Sequence, residues 1–181
     1  MATSAIRAKV IKPKGFSESQ FLGAMLDVMK KTADVFEDDF GQTTKTWKKK
    51  PPFERKVTRK SDRLEAEAST DNEVYAWVND GTGERGGGSK YEIWAGYYTG
   101  KSDKKALFFS SDFVPKTKSG IIDSGPGWVG ERDTLTPYVV HPGIEPRKFD
   151  EAIKKKREPW FYREVNNGLK RASKASGHAI T

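Results

Sequence analysis

Phe16-Ser17-Glu18-Ser19-Gln20-Phe21-Leu22 is the stretch on which the fold turns. Ser17 is placed to cap the amide three residues on, Gln20 reaches back to the Ser17 amide, and Phe16 and Phe21 occupy the two positions of a hydrophobic staple, so a helix starts here. Downstream, Leu22, Met25, Leu26, Met29, Ala33, Phe36 and Phe40 recur at helical spacing and collect on one stripe. Gly41 is a natural stop. The spacing predicts a helix over residues 17 to 40 whose stripe faces a core or a neighbouring subunit.

Beyond it the period changes. Pro51-Pro52 forbids helix, and residues 53 to 79 alternate as extended chain does. Ser61-Asp62 reads as a hairpin turn between residues 53 to 60 and 64 to 69. In residues 74 to 78, Val74, Ala76 and Val78 share one face of an expected strand, with Tyr75 and Trp77 on the other. Residues 91 to 99, 106 to 114 and 137 to 140 read as further strands, separated by a long Gly-rich loop over residues 115 to 135. From Arg147 the pattern turns helical again, with Phe149, Ala152, Ile153, Phe161, Val165 and Leu169 on one face, and Pro159 is expected to kink or divide that helix. The fold class expected is α+β: an N-terminal helix and a kinked C-terminal helix packed on a small, mainly antiparallel sheet with long loops. Residues 1 to 16 read as a basic arm, 17 to 170 as a single domain, and 171 to 181 as a flexible tail.

Composition bounds what such a chain does. The 181 residues suffice for one core. Five Trp, six Tyr and ten Phe argue against disorder. The absence of cysteine excludes disulfides, thiolate metal sites and a Cys nucleophile, and it suits reducing cytosol. No stretch approaches the roughly 18 apolar residues of a membrane span, and residues 1 to 14 lack the apolar centre of a signal peptide, so a soluble chain without an export address is expected. The net charge of +8 is concentrated locally: Lys45, Lys48, Lys49, Lys50, Arg55, Lys56, Arg59 and Lys60 face only Glu54 within residues 45 to 60. Charge runs are usually solvated faces. The functional reading is contact with passing DNA through Lys48, Lys49, Lys50, Arg55 and Lys56, helped by the interleaved aromatics Trp47 and Phe53.

Two segments match G-x-G-x-x-G, at Gly81-Thr82-Gly83-Glu84-Arg85-Gly86 and Gly125-Pro126-Gly127-Trp128-Val129-Gly130. That pattern binds a dinucleotide only where the glycines open a helix, and here both read as loop, so no cofactor is expected. His141 and His178 are the only histidines, too few for a His triad around a metal. No nucleophile elbow accompanies them, and no enzymatic activity is expected.

Val139-Val140-His141-Pro142-Gly143-Ile144-Glu145-Pro146-Arg147-Lys148-Phe149, leading into the last helix, resembles the hallmark of tail-completion and neck proteins of long-tailed bacteriophages. Val74-Tyr75-Ala76-Trp77-Val78-Asn79-Asp80-Gly81-Thr82 is similar to that family's strand ending in an Asn-x-Gly-Thr turn. Thr46-Trp47 with Pro51-Pro52-Phe53 falls in the same order between the leading helix and the sheet. The likeness covers roughly residues 17 to 170; the added glycines 86 to 88 and the basic extension after Pro159 depart from it.

The resemblance implies a non-enzymatic virion subunit that forms a ring, commonly six-fold, as a tail terminator or head-tail joining protein. Its partners would be copies of itself, neighbouring neck or connector proteins, the tail tube and passing genomic DNA, with no membrane. It would reside at the virion neck and, during assembly, in the host cytoplasm. The structural or interface residues it marks are Trp47, Trp77, Asn79, Gly81, Thr82, His141, Pro142, Gly143, Pro146, Arg147 and Phe149. Arg147 is read either as pairing with an acid on an adjacent subunit or as a solvated first-turn residue, and Phe149 as the anchor of the last helix on the sheet. The runner-up is a monomeric, sequence-independent nucleic-acid-binding protein using residues 45 to 60 and the last helix.

Overall fold

A computed structural model of the chain describes residues 4–12, 18–94, 106–110, 113–115, 117–122, 128–129 and 133–175. It is a mixed α+β protein, with three α-helices and antiparallel sheets of two or three strands among those residues. The chain divides into two compact units, Met1–Asn72 with Asp150–Thr181, and Glu73–Phe149.

In the first unit, strands β1 (Ser4–Ile11), β2 (Glu54–Arg59) and β3 (Arg63–Thr70) form an antiparallel sheet in the order β1-β3-β2. Helix α1 (Glu18–Thr43) packs across it. Leu64, Ala66 and Ala68 alternate inward on β3, and Leu64 and Ala66 share one core cluster with Met25 and Met29 of α1. Phe21, Val10 and Ala33 complete that core, and Phe161, Val165 and Leu169 pack against it from helix α3 (Phe149–Ala175). Each large side chain closed off in this way contributes about 1.5–3 kcal/mol. Gly168 lets α3 approach α1, since an added Cβ there would lie 2.4 Å from the Met25 methyl. The outer face of the sheet carries charge pairs, Arg7 with Glu67 at 2.7 Å and Arg63 with Glu65 at 2.8 Å.

The second unit contains helix α2 (Glu73–Asp80), a 3-10 turn over Gly83–Gly86 and three two-stranded ribbons. Strand β4 (Tyr91–Trp94) pairs with β9 (Tyr138–His141), β5 (Leu107–Ser110) with β8 (Asp133–Thr136), and β6 (Phe113–Val114) with β7 (Trp128–Val129).

Several expectations need correction. The basic arm is largely strand β1: Ser4, Ile6, Ala8 and Val10 point inward while Arg7 and Lys9 point out, a half-buried alternation that the charges disguised. Residues 74 to 78 are helical, because Tyr75, Ala76 and Asn79 are the buried positions and their spacing is that of a helix; Glu73 suits the first turn and Gly81, at φ 80°, stops the last. Helix α1 continues through Gly41 to Thr43, whose hydroxyl donates to the Phe40 carbonyl at 2.6 Å. The expected loop over 115 to 135 contains β7 and the start of β8.

Helix α3 runs unbroken through Pro159 and on to Ala175, with Ala172 and Ser173 buried where a tail was expected. Pro159 and Lys155 are exposed, so the carbonyl that loses its helical partner is left to water rather than to the core. The Ser17 cap, the Phe16 staple partner, the end of the strand expected over 91 to 99, most of the second glycine motif and His178 lie outside the described residues.

Candidate functional site

The second unit is closed by a latch between the end of α2 with its glycine loop and the segment from His141 to the start of α3. Thr82 donates its amide to the Ile144 carbonyl at 2.9 Å, and its hydroxyl accepts the Ile144 amide at 3.0 Å. Arg85 donates to the Pro142 carbonyl, Arg147 to that of Val78 and Lys148 to that of Asn79, each at 3.0 Å. The Asn79 side chain caps α3 from outside: Oδ1 accepts the Phe149 amide at 2.7 Å while Nδ2 donates to Asp80 at 2.7 Å. Phe149, fully buried, packs on the Tyr75 ring at 5.7 Å, so its anchor is α2 rather than the expected sheet.

Glycine is required where the two backbones cross. A Cβ on Gly143, at φ 96°, would stand 1.6 Å from the Thr82 carbonyl oxygen, and one on Gly81 would stand 2.8 Å from the Ile144 oxygen and 2.9 Å from Cδ of Pro146. Lys148 alone among described non-glycine residues has positive φ, 54°, held by its bond to Asn79. His141 accepts the Gly143 amide on Nδ1 at 2.9 Å and lies against the Tyr91 ring at 5.3 Å, which gives it a turn-stabilising role.

Arg147 is 6% exposed, which removes the reading of a solvated first-turn residue. Its Nε donates to Thr117 at 3.2 Å and its Nη1 to Glu145 at 3.3 Å, and its carbonyl accepts the Gly120 amide at 2.8 Å. The guanidinium is therefore engaged within its own chain. Asn79, Gly81, Thr82, His141, Pro142, Gly143, Pro146, Arg147 and Phe149 thus come together, whereas Trp77 stands half-exposed on the outer face of α2 and Trp47 lies in the turn after α1, where its amide donates to Thr44.

The glycine motif at 81 to 86 cannot cradle a phosphate in this form. The amides of Thr82, Arg85, Gly86 and Gly88 are all consumed by carbonyls of the latch and its turn, and the loop leads into a 3-10 turn and a strand. Among the described residues no cluster of His, Cys, Asp or Glu could hold a metal, and no helix is long and apolar enough to cross a membrane.

The basic run divides in two. Lys48, Lys49 and Lys50 are exposed without an ion pair to a described residue, and Lys56 is exposed as well. Arg55 is held by Asp34 at 2.5 Å and Glu37 at 3.3 Å, and Arg59 by Glu18 at 2.9 Å. Phe53 stacks on Phe40 at 5.2 Å and so is not presented as a platform for bases.

Sequence reasoning missed Tyr75 as the floor under Phe149, Thr117 as the partner of Arg147, and Asp39. The Asp39 carboxylate, 3% exposed, is gripped by Arg157 through two bonds of 2.5 and 2.8 Å and by Lys156 at 3.2 Å. That hydrogen bonding raises the Arg157 pKa against the opposing effect of burial. The signal for Asp39 was present, since it lies between Phe36 and Phe40 on the buried side of α1.

No family model matches the chain, and neither a curated protein nor a solved structure matches it.

Proposed function

We propose that this chain is a structural, non-enzymatic subunit of a long-tailed bacteriophage, forming a ring at the neck or the head-proximal end of the tail. The observation that carries the reading is the latch. The two segments on which the resemblance rests, with Thr82 and Ile144 62 residues apart in sequence, are bonded to each other, although the first is helix α2 with its turn and not the strand that the resemblance implies. Short motifs that agree with a family by chance have no reason to meet in space. Their union is mechanical: it uses backbone bonds, glycine crossings and a helix cap.

The test is genetic. A phage deprived of this chain should accumulate heads and tails that do not join, or tails with an unfinished upper end, and supplying the chain should restore joined particles. Intact, infectious particles made without it would reject the reading and favour the nucleic-acid-binding alternative, for which exposed Lys48, Lys49 and Lys50 are the supporting observation.

A further inference from the structure

Two surfaces of the chain are complementary in both polarity and charge. On the first unit, an open groove of about 170 Å³ is lined by Ile6 of β1, Phe36 of α1 and Phe161 and Tyr162 of α3. An engineered apolar cavity of about 150 Å³ accepts a benzene ring, so this groove is of a size for one aromatic side chain. Its rim is basic. Arg7 and Arg157 answer to Glu67 and Asp39, but Lys9 and Lys154 have no acid partner among the described residues, against the single carboxylate of Glu158.

On the second unit, the outer face of α2 shows Val74, 51% exposed, and Trp77, 47% exposed, flanked by the exposed acids Glu73 and Asp80. Residues 73, 77 and 80 lie along one stripe of the helix. An apolar stripe bounded by acids is the counterpart of an apolar groove bounded by lysines.

We infer that the acidic, Trp77-bearing stripe of α2 in one copy docks in the basic groove beside β1 of the next copy. This rests on the ring reading above and names the surfaces that would build the ring. The contact joins two different patches, so it is heterologous, and a heterologous contact that closes generates a ring. Trp77 would be the central anchor, as buried Trp residues commonly are.

The test uses full-length chains and measures mass in solution against concentration at low salt. Trp77→Ala disables the stripe and leaves the groove; Lys9→Glu with Lys154→Glu disables the groove and leaves the stripe. Each variant alone should self-associate at least about tenfold more weakly than wild type, since anchor truncation and like-charge contact each reach that size. An equimolar mixture should then form a dimer that grows no further, because one working stripe meets one working groove. Melting temperatures control for folding, and Val74→Asp replaces Trp77→Ala should the latter melt early. Variants that associate as wild type does, a mixture that stays monomeric, or a wild type that is monomeric at every concentration would each overturn the inference. Wild-type rings that persist in both variants would remove these surfaces while leaving the ring itself standing.

Discussion

In the first unit most large apolar side chains are turned inward: Phe21, Met25, Met29, Phe40, Leu64 and Ile153 are at most 1% exposed, while Ile11, Leu26 and Tyr162 stand open. In the second, Tyr75 and Phe149 are enclosed, but Val74, Trp77, Trp94, Val114, Leu135, Tyr138 and Val140 stand open. Trp94 and Tyr138 stack on each other at 4.8 Å on the outside of the β4–β9 ribbon. The first unit is therefore stabilised by burial of its own side chains, and the second by the backbone bonds and glycine crossings of its latch. Apolar surface thus stays open to solvent mostly in the second unit, at Val74, Trp77, Trp94, Leu135 and Tyr138 among others.

The largest effect expected is that of Phe149→Ala, which removes the ring packed on Tyr75 and should lower stability by about 3–5 kcal/mol. An unchanged melting temperature would show that α3 is not anchored as described. Next, Gly143→Ala should loosen the second unit alone. The added methyl cannot coexist with the Thr82 carbonyl, and losing several backbone bonds at about 0.5–1.5 kcal/mol each should open the latch. Hydrogen exchange should quicken at Thr82, Arg85 and Ile144 while amides of β1 and β3 keep their protection; uniform quickening would mean that the two units are not distinct in stability.

A smaller loss, about 1–2 kcal/mol, is expected in the first unit from Asp39→Asn, because the charged bonds to Arg157 and Lys156 weaken while both cations keep part of their solvation. The smallest effect is a pH dependence. Hydrogen bonding from Arg63, then Lys60, holds the Glu65 carboxyl below its ordinary range. Its contribution to stability is thus complete above the unfolded pKa and fades as pH falls through the depressed folded one. Glu65→Gln should flatten the acid limb of a melting-temperature profile, and an acid limb identical to wild type would remove Glu65 from it.

Much of the first unit was legible because its elements are long or alternate cleanly. The stripe from Met25 to Phe40, apart from the exposed Leu26, the hairpin through Ser61-Asp62 and the half-buried face from Ile153 to Leu169 read directly from their spacing. Strand β1 was hidden by Arg7 and Lys9, whose charges drew attention away from the alternation beneath them. Helix α2 was misread because a short, nearly continuous apolar run does not reveal its period; only the burial of Asn79 alongside Tyr75 and Ala76 settles it.

In the latch, the residues were legible as motifs, but their meeting was not. Arg147 finds Thr117 30 residues away along the chain, and neither side chain announces the other. Phe53 misled for the converse reason: its place among cations suggested a base platform, yet Phe40 had claimed its ring.

The proposed function is tested most directly by electron cryomicroscopy of the particles that would carry this chain, with its fold fitted to the density between portal and tail tube. A closed ring of copies is expected there. Particles whose neck and tail density accommodates no copy of this fold would contradict it.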